Sequence, residues 1–386
     1  MTHAGGYCIM SRRLFAFTLS LVLMLAVVVC VAGAEEELDI EELIETIEPE
    51  ETPGVYESDG STVITVTCTG DFTIGGDNYH NKSKFFYKRL KDHGGDINFI
   101  MANTRSIFLQ DDLTLVNFEG TLTESRKVPD NKKKNKFLFN IAPEYVSVLP
   151  DNGIEAVSLE NNHVMDHGEE AYEETKETLR SAGIVYSNSE EIGIYDVSGI
   201  QIAMLSYLCI DRYDKPVGQY SNLYEKVEAD IIAVKKQYPI VIVSFHWGNE
   251  LDYSPTERQI RMGRLAVDSG ADLVIGHHSH RINPIEEYKG VYICYSLGNF
   301  CFSGNEAPSD MTSFIFQTRF KVSKSGEVSN TGFRVIPIRI TSIRDKNDCI
   351  PTPVDDERLK TDIINVMKDN GRKLDYAVSE YPLEWR

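Results

Sequence analysis

Cysteine is scarce and unpatterned in this chain of 386 residues: there are seven, and no two form a Cys-x-x-Cys pair. That excludes thiolate zinc cages built on such pairs and a regular disulfide framework. Five of them (Cys68, Cys209, Cys294, Cys301, Cys349) lie beyond the N-terminal region, mostly in apolar runs. They are expected as buried free thiols, with a Cys294–Cys301 bridge as the alternative. Positive charge is also in short supply. Against 59 Asp and Glu there are 39 Lys and Arg, a formal net charge of −20, which argues against nucleic acid as a partner. The glycine-containing segment Phe72-Thr73-Ile74-Gly75-Gly76-Asp77 lacks the Gly-Lys-Ser/Thr ending of a P-loop. No internal repeat is present.

Uncharged length is concentrated at the start. Arg12-Arg13 precede Leu14 to Val31, a stretch of 18 residues without charge. It is longer than a typical signal-peptide core of about 7–15 residues and long enough for one membrane-spanning helix. The flanking arginines predict a cytoplasmic start and an exported body. Ala32-Gly33-Ala34 offers a cleavage option, so secretion after signal cleavage is the alternative to a single N-terminal anchor. Glu35 to Gly60 then carries twelve carboxylates and no Lys or Arg, and reads as a self-repelling stalk. The expected division is a membrane anchor or signal over 1–34, an acidic linker over 35–60, a main domain over 61–345 and a C-terminal extension over 346–386.

The main domain reads as α/β. Short β-branched runs bounded by polar residues predict buried strands at Val63–Thr67, Leu113–Val116, Ile154–Leu159, Ile240–Phe245 and Ala271–Ile275. Helical spacing falls between them, over Glu169–Ala182 and Leu223–Gln237. Ser254-Pro255-Thr256-Glu257 reads as a capping box with Pro at the first helical position, opening a helix to Ser269. From Ser313 the pattern alternates, turns at Lys324–Glu327 and alternates again to Ile340. The domain therefore closes with antiparallel strands, and Asp355–Asn370 is a candidate last helix.

Each of the five strands runs into side chains that bind metals or move protons. Asp71 follows the first, Glu119 the second, and Glu160-Asn161-Asn162-His163 with Asp166 and His167 the third. His246 and Glu250 follow the fourth, and Gly276-His277-His278-Ser279-His280 the fifth. Six of the nine histidines fall in three of these segments. Ligand sites in open α/β sheets lie outside the carboxyl ends of strands. An exposed pocket of Asp71, Glu119, Asn162, His246, His278 and His280 is therefore expected, with His163 as acid and Asp166 or Glu160 orienting it. Mixed oxygen and nitrogen donors suit Mn, Fe or Zn, one ion or two. The basic segment Arg126–Lys136 reads as a solvated loop, or else as a handle for a polyanion.

These motifs, together with Asn117-Phe118-Glu119-Gly120, His246-Trp247-Gly248-x-Glu250 and Tyr295-Ser296-Leu297-Gly298-Asn299-Phe300, resemble the CapA family over about residues 62 to 305. These are poly-γ-glutamate capsule biosynthesis proteins, similar in fold to calcineurin-like metallophosphatases. The resemblance implies a four-layer α/β/β/α metallophosphatase-like sandwich, in a cell-surface protein of the machinery that makes or exports the polymer. Its implied partners are poly-γ-glutamate and the membrane synthase subunits. Asp71, Glu119, Asn162, His246, His278 and His280 fall on the superfamily's metal positions and His163 on its acid position, with Asn161, His277, Glu250 and Asn299 around them. Typical metallophosphatases carry Asp-x-His where this chain has Asp71-Phe72-Thr73, one ligand fewer. Two functions fit: a metal-dependent phosphoesterase or other hydrolase, and a non-catalytic accessory subunit that binds the polymer or its synthase.

Overall fold

β-Branched residues dominate the opening run Thr62–Thr73, and it forms one long strand at the centre of a sheet. The computed structural model describes residues 57–76, 84–135, 137–210 and 213–385. In chain order the strands are β1 (Thr62–Thr73), β2 (Leu113–Phe118), β3 (Thr121–Leu122), β4 (Asn140–Ile141), β5 (Ala156–Ser158), β6 (Val185–Ser187), β7 (Gly193–Val197) and β8 (Ile200–Cys209). There follow β9 (Ile240–Trp247), β10 (Leu273–His277), β11 (Ile285–Tyr288), β12 (Val291–Cys294), β13 (Asn299–Phe302), β14 (Thr312–Val322), β15 (Val328–Arg339) and β16 (Thr352–Pro353). The helices used below are α1 (Lys84–Asp92), α2 (Glu169–Ser181), α3 (Leu223–Lys235), α4 (Glu257–Asp268) and α5 (Glu357–Gly371).

Two mixed sheets result. One has the order β16-β15-β14-β1-β2-β5-β6, with β13 added beside β1, and the other β11-β12-β10-β9-β8-β7. Parallel pairs make the middle of each, and the antiparallel β14–β15 hairpin closes the first, as the alternation after Ser313 predicts. Side chains alternate between faces along each strand. Leu115, Ile242 and Ile275 enter a core shared by both sheets, together with Ile64, Val66 and Met204. Their neighbours point outward: Val116 and Val157 pack with Phe86 of α1 and Leu179 of α2. Val243 and Val274 pack with Val227 and Ile231 of α3 and Met262 of α4. Burial on both faces explains why these strands read as continuous apolar runs.

Several local expectations shift by a few residues. The cap of α4 is Thr256, not Ser254: its hydroxyl accepts from the Gln259 amide, and the Gln259 side chain accepts from the Thr256 amide. Pro255 therefore precedes the cap instead of opening the helix. The strands also run further than their apolar cores, because pairing continues through the polar residues. Asp71 pairs with Asn117 and Asn299, and His277 pairs with His246. Asp71, His246 and His277 thus lie on strands instead of past them.

Residues 346–385 add to the shared core, with Ile363 and Met367 of α5 and Tyr381 buried in it. All five described cysteines are buried free thiols, including Cys294 and Cys301. Among the described residues no helix is long and apolar enough to cross a membrane. The expected anchor and most of the acidic linker lie outside the described residues.

Candidate metal centre

The carboxyl ends of β1, β2, β5, β9 and β10 converge on two buried carboxylates. Asp71 reaches this point because β1 comes very close to the turn before β13. A Cβ on Gly70 would lie 2.1 Å from the Gly298 carbonyl oxygen, and the Asp71 amide donates to that same oxygen at 2.9 Å. Asn117 Nδ2 donates to Asp71 Oδ1 at 2.9 Å. Asp71 Oδ2 lies 2.9 Å from His280 Nδ1, an electrostatic contact without the alignment of a hydrogen bond. Glu119 follows β2, held by its amide on the Phe72 carbonyl and by Thr73 Oγ1, which donates to Oε2 at 3.3 Å.

The other oxygen of Glu119 is the centre of the site. Oε1 has no hydrogen-bond partner, yet Nε2 of His246 lies 3.8 Å away and Nε2 of His163 and of His280 3.9 Å away. A cation with bonds of about 2.0–2.2 Å separates its ligands by roughly 3–4.4 Å. These gaps therefore have the size of a shared ion and not of a hydrogen bond. Asp71, Glu119 and His280 each offer a donor atom within 4.8 Å of the others. Asp71 Oδ2, His278 Nδ1 and both ring nitrogens of His277 also lack hydrogen-bond partners. A buried polar atom left unsatisfied costs about 1–3 kcal/mol, so such a concentration fits a group that binds there. Carboxylate and imidazole donors together suit Mn, Fe or Zn.

Electrostatics divides the imidazoles into two kinds. Burial lowers His280, but the charges of Glu119 and Asp71 outweigh it and lift the ring to about 9. Burial and the neighbouring His280 hold His278 down at about 4, and burial with His278 holds His246 well below its ordinary value. Burial and the Asp71 charge raise Glu119. Burial pushes Asp71 up as well, but the close His277 and His280 rings, 3.4 and 2.9 Å from its oxygens, carry it well below the usual range. Neutral rings at His246 and His278 are in the form that binds a metal.

His246, on β9, sets Nε2 at 2.7 Å from Asn162 Oδ1, joining the two sheets. The His277–His280 turn has left-handed backbone at His278 (φ 94°) and His280 (φ 54°), conformations uncommon for residues other than glycine. Arg281 Nη1 donates to the His280 carbonyl at 2.8 Å, and Asn299 Oδ1 lies 3.0 Å from His280 Nδ1. Beside the carboxylates, His163 Nδ1 is 2.6 Å from Asp166 Oδ2, and its amide donates to Asn161 Oδ1. Phe139 packs edge-on to the His163 ring.

The structure thus brings together Asp71, Glu119, Asn162, His246, His278 and His280, with His163 and Asp166 adjoining and Asn161, His277 and Asn299 bracketing them. The pocket expected to be exposed is largely buried, with Asp71 at 0 % and Glu119 and His246 at 1 % exposure, because strands of both sheets supply its walls. Glu250 is exposed and acts on Glu119 and His280 only through its charge. Glu160 turns away to accept from the Ser189 amide at 2.9 Å. Sequence reasoning missed Asn117, Thr73 and Lys132. Asn117, directly after the apolar run Leu113–Val116, carried the same strand-end signal as Glu119, and nothing local distinguishes Lys132 from its basic neighbours. In the basic segment Lys127 and Lys133 are exposed, paired with Glu170 and Asp130 at the surface, as a solvated loop would be, whereas Lys132 turns in to Asp166.

Carboxylates and imidazoles gathered at strand ends of two facing mixed sheets define an α/β protein with a candidate divalent-metal centre. The chain belongs to the bacterial capsule synthesis protein PGA_cap family, whose model matches residues 65–304. It is 31% identical over 341 residues to the PGA biosynthesis protein CapA of Bacillus subtilis (strain 168), covering 83% of this chain and 82% of that protein. It is 27% identical over 256 residues to the capsule biosynthesis protein CapA of Bacillus anthracis, covering 62% of this chain and 60% of that one. Among solved structures, the NAD nucleotidase (NadN) of Haemophilus influenzae aligns at a TM-score of 0.39 and 13% identity, over 84% of this chain and 64% of that one. Nothing about activity follows from so slight a likeness.

Proposed function

We propose that this chain works in poly-γ-glutamate capsule synthesis or export, as a membrane-anchored cell-surface protein with a divalent-metal centre of metallophosphoesterase type. The names of its CapA relatives supply the process. The observation that carries the metal centre is the partnerless Glu119 Oε1, buried within 3.9 Å of three imidazole nitrogens. In this reading residues 1–34 anchor the chain, 35–60 are an acidic stalk, and the body faces outward as a four-layer α/β/β/α sandwich.

Asp71, Glu119, Asn162, His246, His278 and His280 would hold the metal. A bound divalent ion supplies Lewis-acid polarisation and an activated water at neutral pH. Asp71 and Glu119 bring negative charge, and His246 and His278 bring neutral donors. His163, with Nδ1 held by Asp166, turns Nε2 toward the same point, where the ring in its doubly protonated form is placed to protonate a departing oxygen. The buried walls exclude bulk water, which strengthens each of these interactions. The substrate would be a phosphoester or the γ-linked polymer itself.

One observation favours the second reading, an accessory subunit that binds the polymer or the synthase without turnover. Thr73 stands where typical metallophosphatases have a third-residue histidine, and its hydroxyl is committed to Glu119. The deciding experiment measures metal content of the purified chain and of His280→Ala, with hydrolysis of a phosphomonoester and of poly-γ-glutamate by both. Stoichiometric Mn, Fe or Zn and a metal-dependent activity, both lost in the variant, support the hydrolase. Metal without turnover supports the accessory subunit, and a chain that cannot be loaded with metal removes the centre.

A further inference from the structure

The loop between β3 and β4 sends one side chain inward. Lys132 is 15 % exposed at its side chain, and its partner Asp166 is fully buried. Lys132 Nζ lies 3.0 Å from Asp166 Oδ1 and 2.5 Å from the Asn162 carbonyl oxygen. The other oxygen of Asp166 accepts from the Phe139 amide at 2.9 Å and lies 2.6 Å from His163 Nδ1. Asp166 is therefore gripped on both oxygens and cannot turn.

An ionised carboxylate only accepts hydrogen bonds, so His163 must carry its proton on Nδ1. That leaves Nε2 facing Glu119 Oε1 at 3.9 Å. The second bond of Lys132 acts on the neighbouring residue. It fixes the main chain of Asn162, whose Oδ1 meets His246 Nε2 at 2.7 Å. A single ammonium group thus holds both the acid pair and a ligand-bearing residue.

We propose that Lys132 is a positioning residue of the metal centre, fixing Asp166 and the Asn162 main chain so that His163 Nε2 and Asn162 Oδ1 address the same point. The proposal rests on the metal-centre reading above. Lysine suits the role because one compact ammonium can serve a carboxylate and a carbonyl that lie in different directions. Removing it leaves Asp166 Oδ1 as a buried carboxylate oxygen with no cation, and the carboxylate is then held only through Oδ2, by the Phe139 amide and His163.

The test compares the full chain with Lys132→Met, Lys132→Gln and Lys132→Arg. Ring-nitrogen NMR of histidine-labelled, metal-free protein, assigned through His163→Gln, reads the His163 tautomer directly. Wild type and Lys132→Arg should show the proton fixed on Nδ1, and the Met and Gln variants a mixture of tautomers. Calorimetric Mn(II) affinity should fall about 10–100-fold in the neutral variants, the range for partners that orient ligands, and recover in Lys132→Arg. A wild-type tautomer and wild-type affinity in folded Lys132→Met or Lys132→Gln would overturn the proposal. If the wild type itself binds no Mn(II), the metal-centre reading fails, and the tautomer measurement still decides the role of Lys132. Melting curves show which variants are folded, and the glutamine variant serves if methionine is not tolerated.

Discussion

Thr73 and Glu119 face each other across neighbouring parallel strands, with the threonine hydroxyl 3.3 Å from one carboxylate oxygen and nothing bonded to the other. The contact sets the orientation of Glu119 and leaves its open oxygen among three imidazoles. Thr73→Val keeps the shape and deletes the donor. Mn(II) affinity should drop by about tenfold, at the lower end for second-layer contacts, with the melting temperature little changed. Calorimetry decides this, and an unchanged affinity would remove Thr73 from the site.

Glu119→Gln should uncouple metal from stability. The wild type gains about 2.7 kcal/mol when Mn(II) is present at a hundred times its dissociation constant, seen as a higher melting temperature. The variant, without the buried charge, should melt no lower than wild type in the absence of metal and gain nothing from Mn(II). An equal Mn(II)-induced rise in both proteins would place the ion elsewhere.

Gly276 is required for close approach. A Cβ there would lie 2.1 Å from the Tyr295 carbonyl oxygen and 2.4 Å from Trp247 Nε1, two atoms that bond each other at 2.9 Å. Gly276→Ala should destabilise by about 1–3 kcal/mol through overpacking, and it should weaken Mn(II) binding because His277–His280 follow directly. Denaturant melts and calorimetry on one sample test both effects. A stable variant with normal binding would show that the backbone yields there.

Glu191 carries a pH dependence away from the site. Burial raises its carboxyl, but hydrogen bonds from Tyr186, Arg180 and Lys176 outweigh this and bring it from 4.5 to about 2. A folded-state value below the unfolded one contributes stability that is complete above 4.5 and lost as pH falls toward about 2. The side chain is 38 % exposed, so the contribution is about 0.5–1 kcal/mol. Glu191→Gln should melt lower than wild type at pH 7, with the gap closing between pH 4.5 and 2. A gap that widens on acidification contradicts this assignment.

Deleting residues 346–386 should abolish soluble folding. It would remove Ile363, Met367 and Tyr381 from the shared core, each worth about 1.5–3 kcal/mol when fully buried. It would also cut the Arg264–Asp375 contact that accompanies the buried Arg264–Glu286 pair. Total stability of a domain is about 5–15 kcal/mol. A truncated chain that is soluble and melts cooperatively near wild type would mean that the segment is dispensable.

Much of the fold was legible because its strands are buried on both faces. β9 and β10 stand in the sequence as Ile240–Phe245 and Ala271–Ile275, and apolar runs of that length between polar loops have few other uses. The β14–β15 hairpin was legible for a different reason, its alternation and its Lys324–Glu327 turn. Short or polar pieces were not. β13 begins with Asn299 and pairs through Asp71, and the α4 cap fell two residues from where Ser254 and Pro255 suggested. Caps and edge pairings depend on which backbone groups are left without partners, and that is known only after the strands have met.

The candidate site divides along the same line. Chain order alone established which side chains stand at strand ends, since a parallel strand followed by a crossover returns every carboxyl end to the same edge. Asp71, Glu119, Asn162, His246 and His280 could be named on that ground. Tertiary structure decided what those residues do to one another. Facing two sheets across a single core buried the carboxylates, left Glu119 Oε1 without a partner and lifted His280 while lowering His246 and His278. It also brought Lys132, from a loop that reads as solvent-exposed charge, to a buried carboxylate 34 residues away. Identity and spacing travel with the sequence, whereas desolvation and charge pairing arise only where distant segments share a space from which water is excluded.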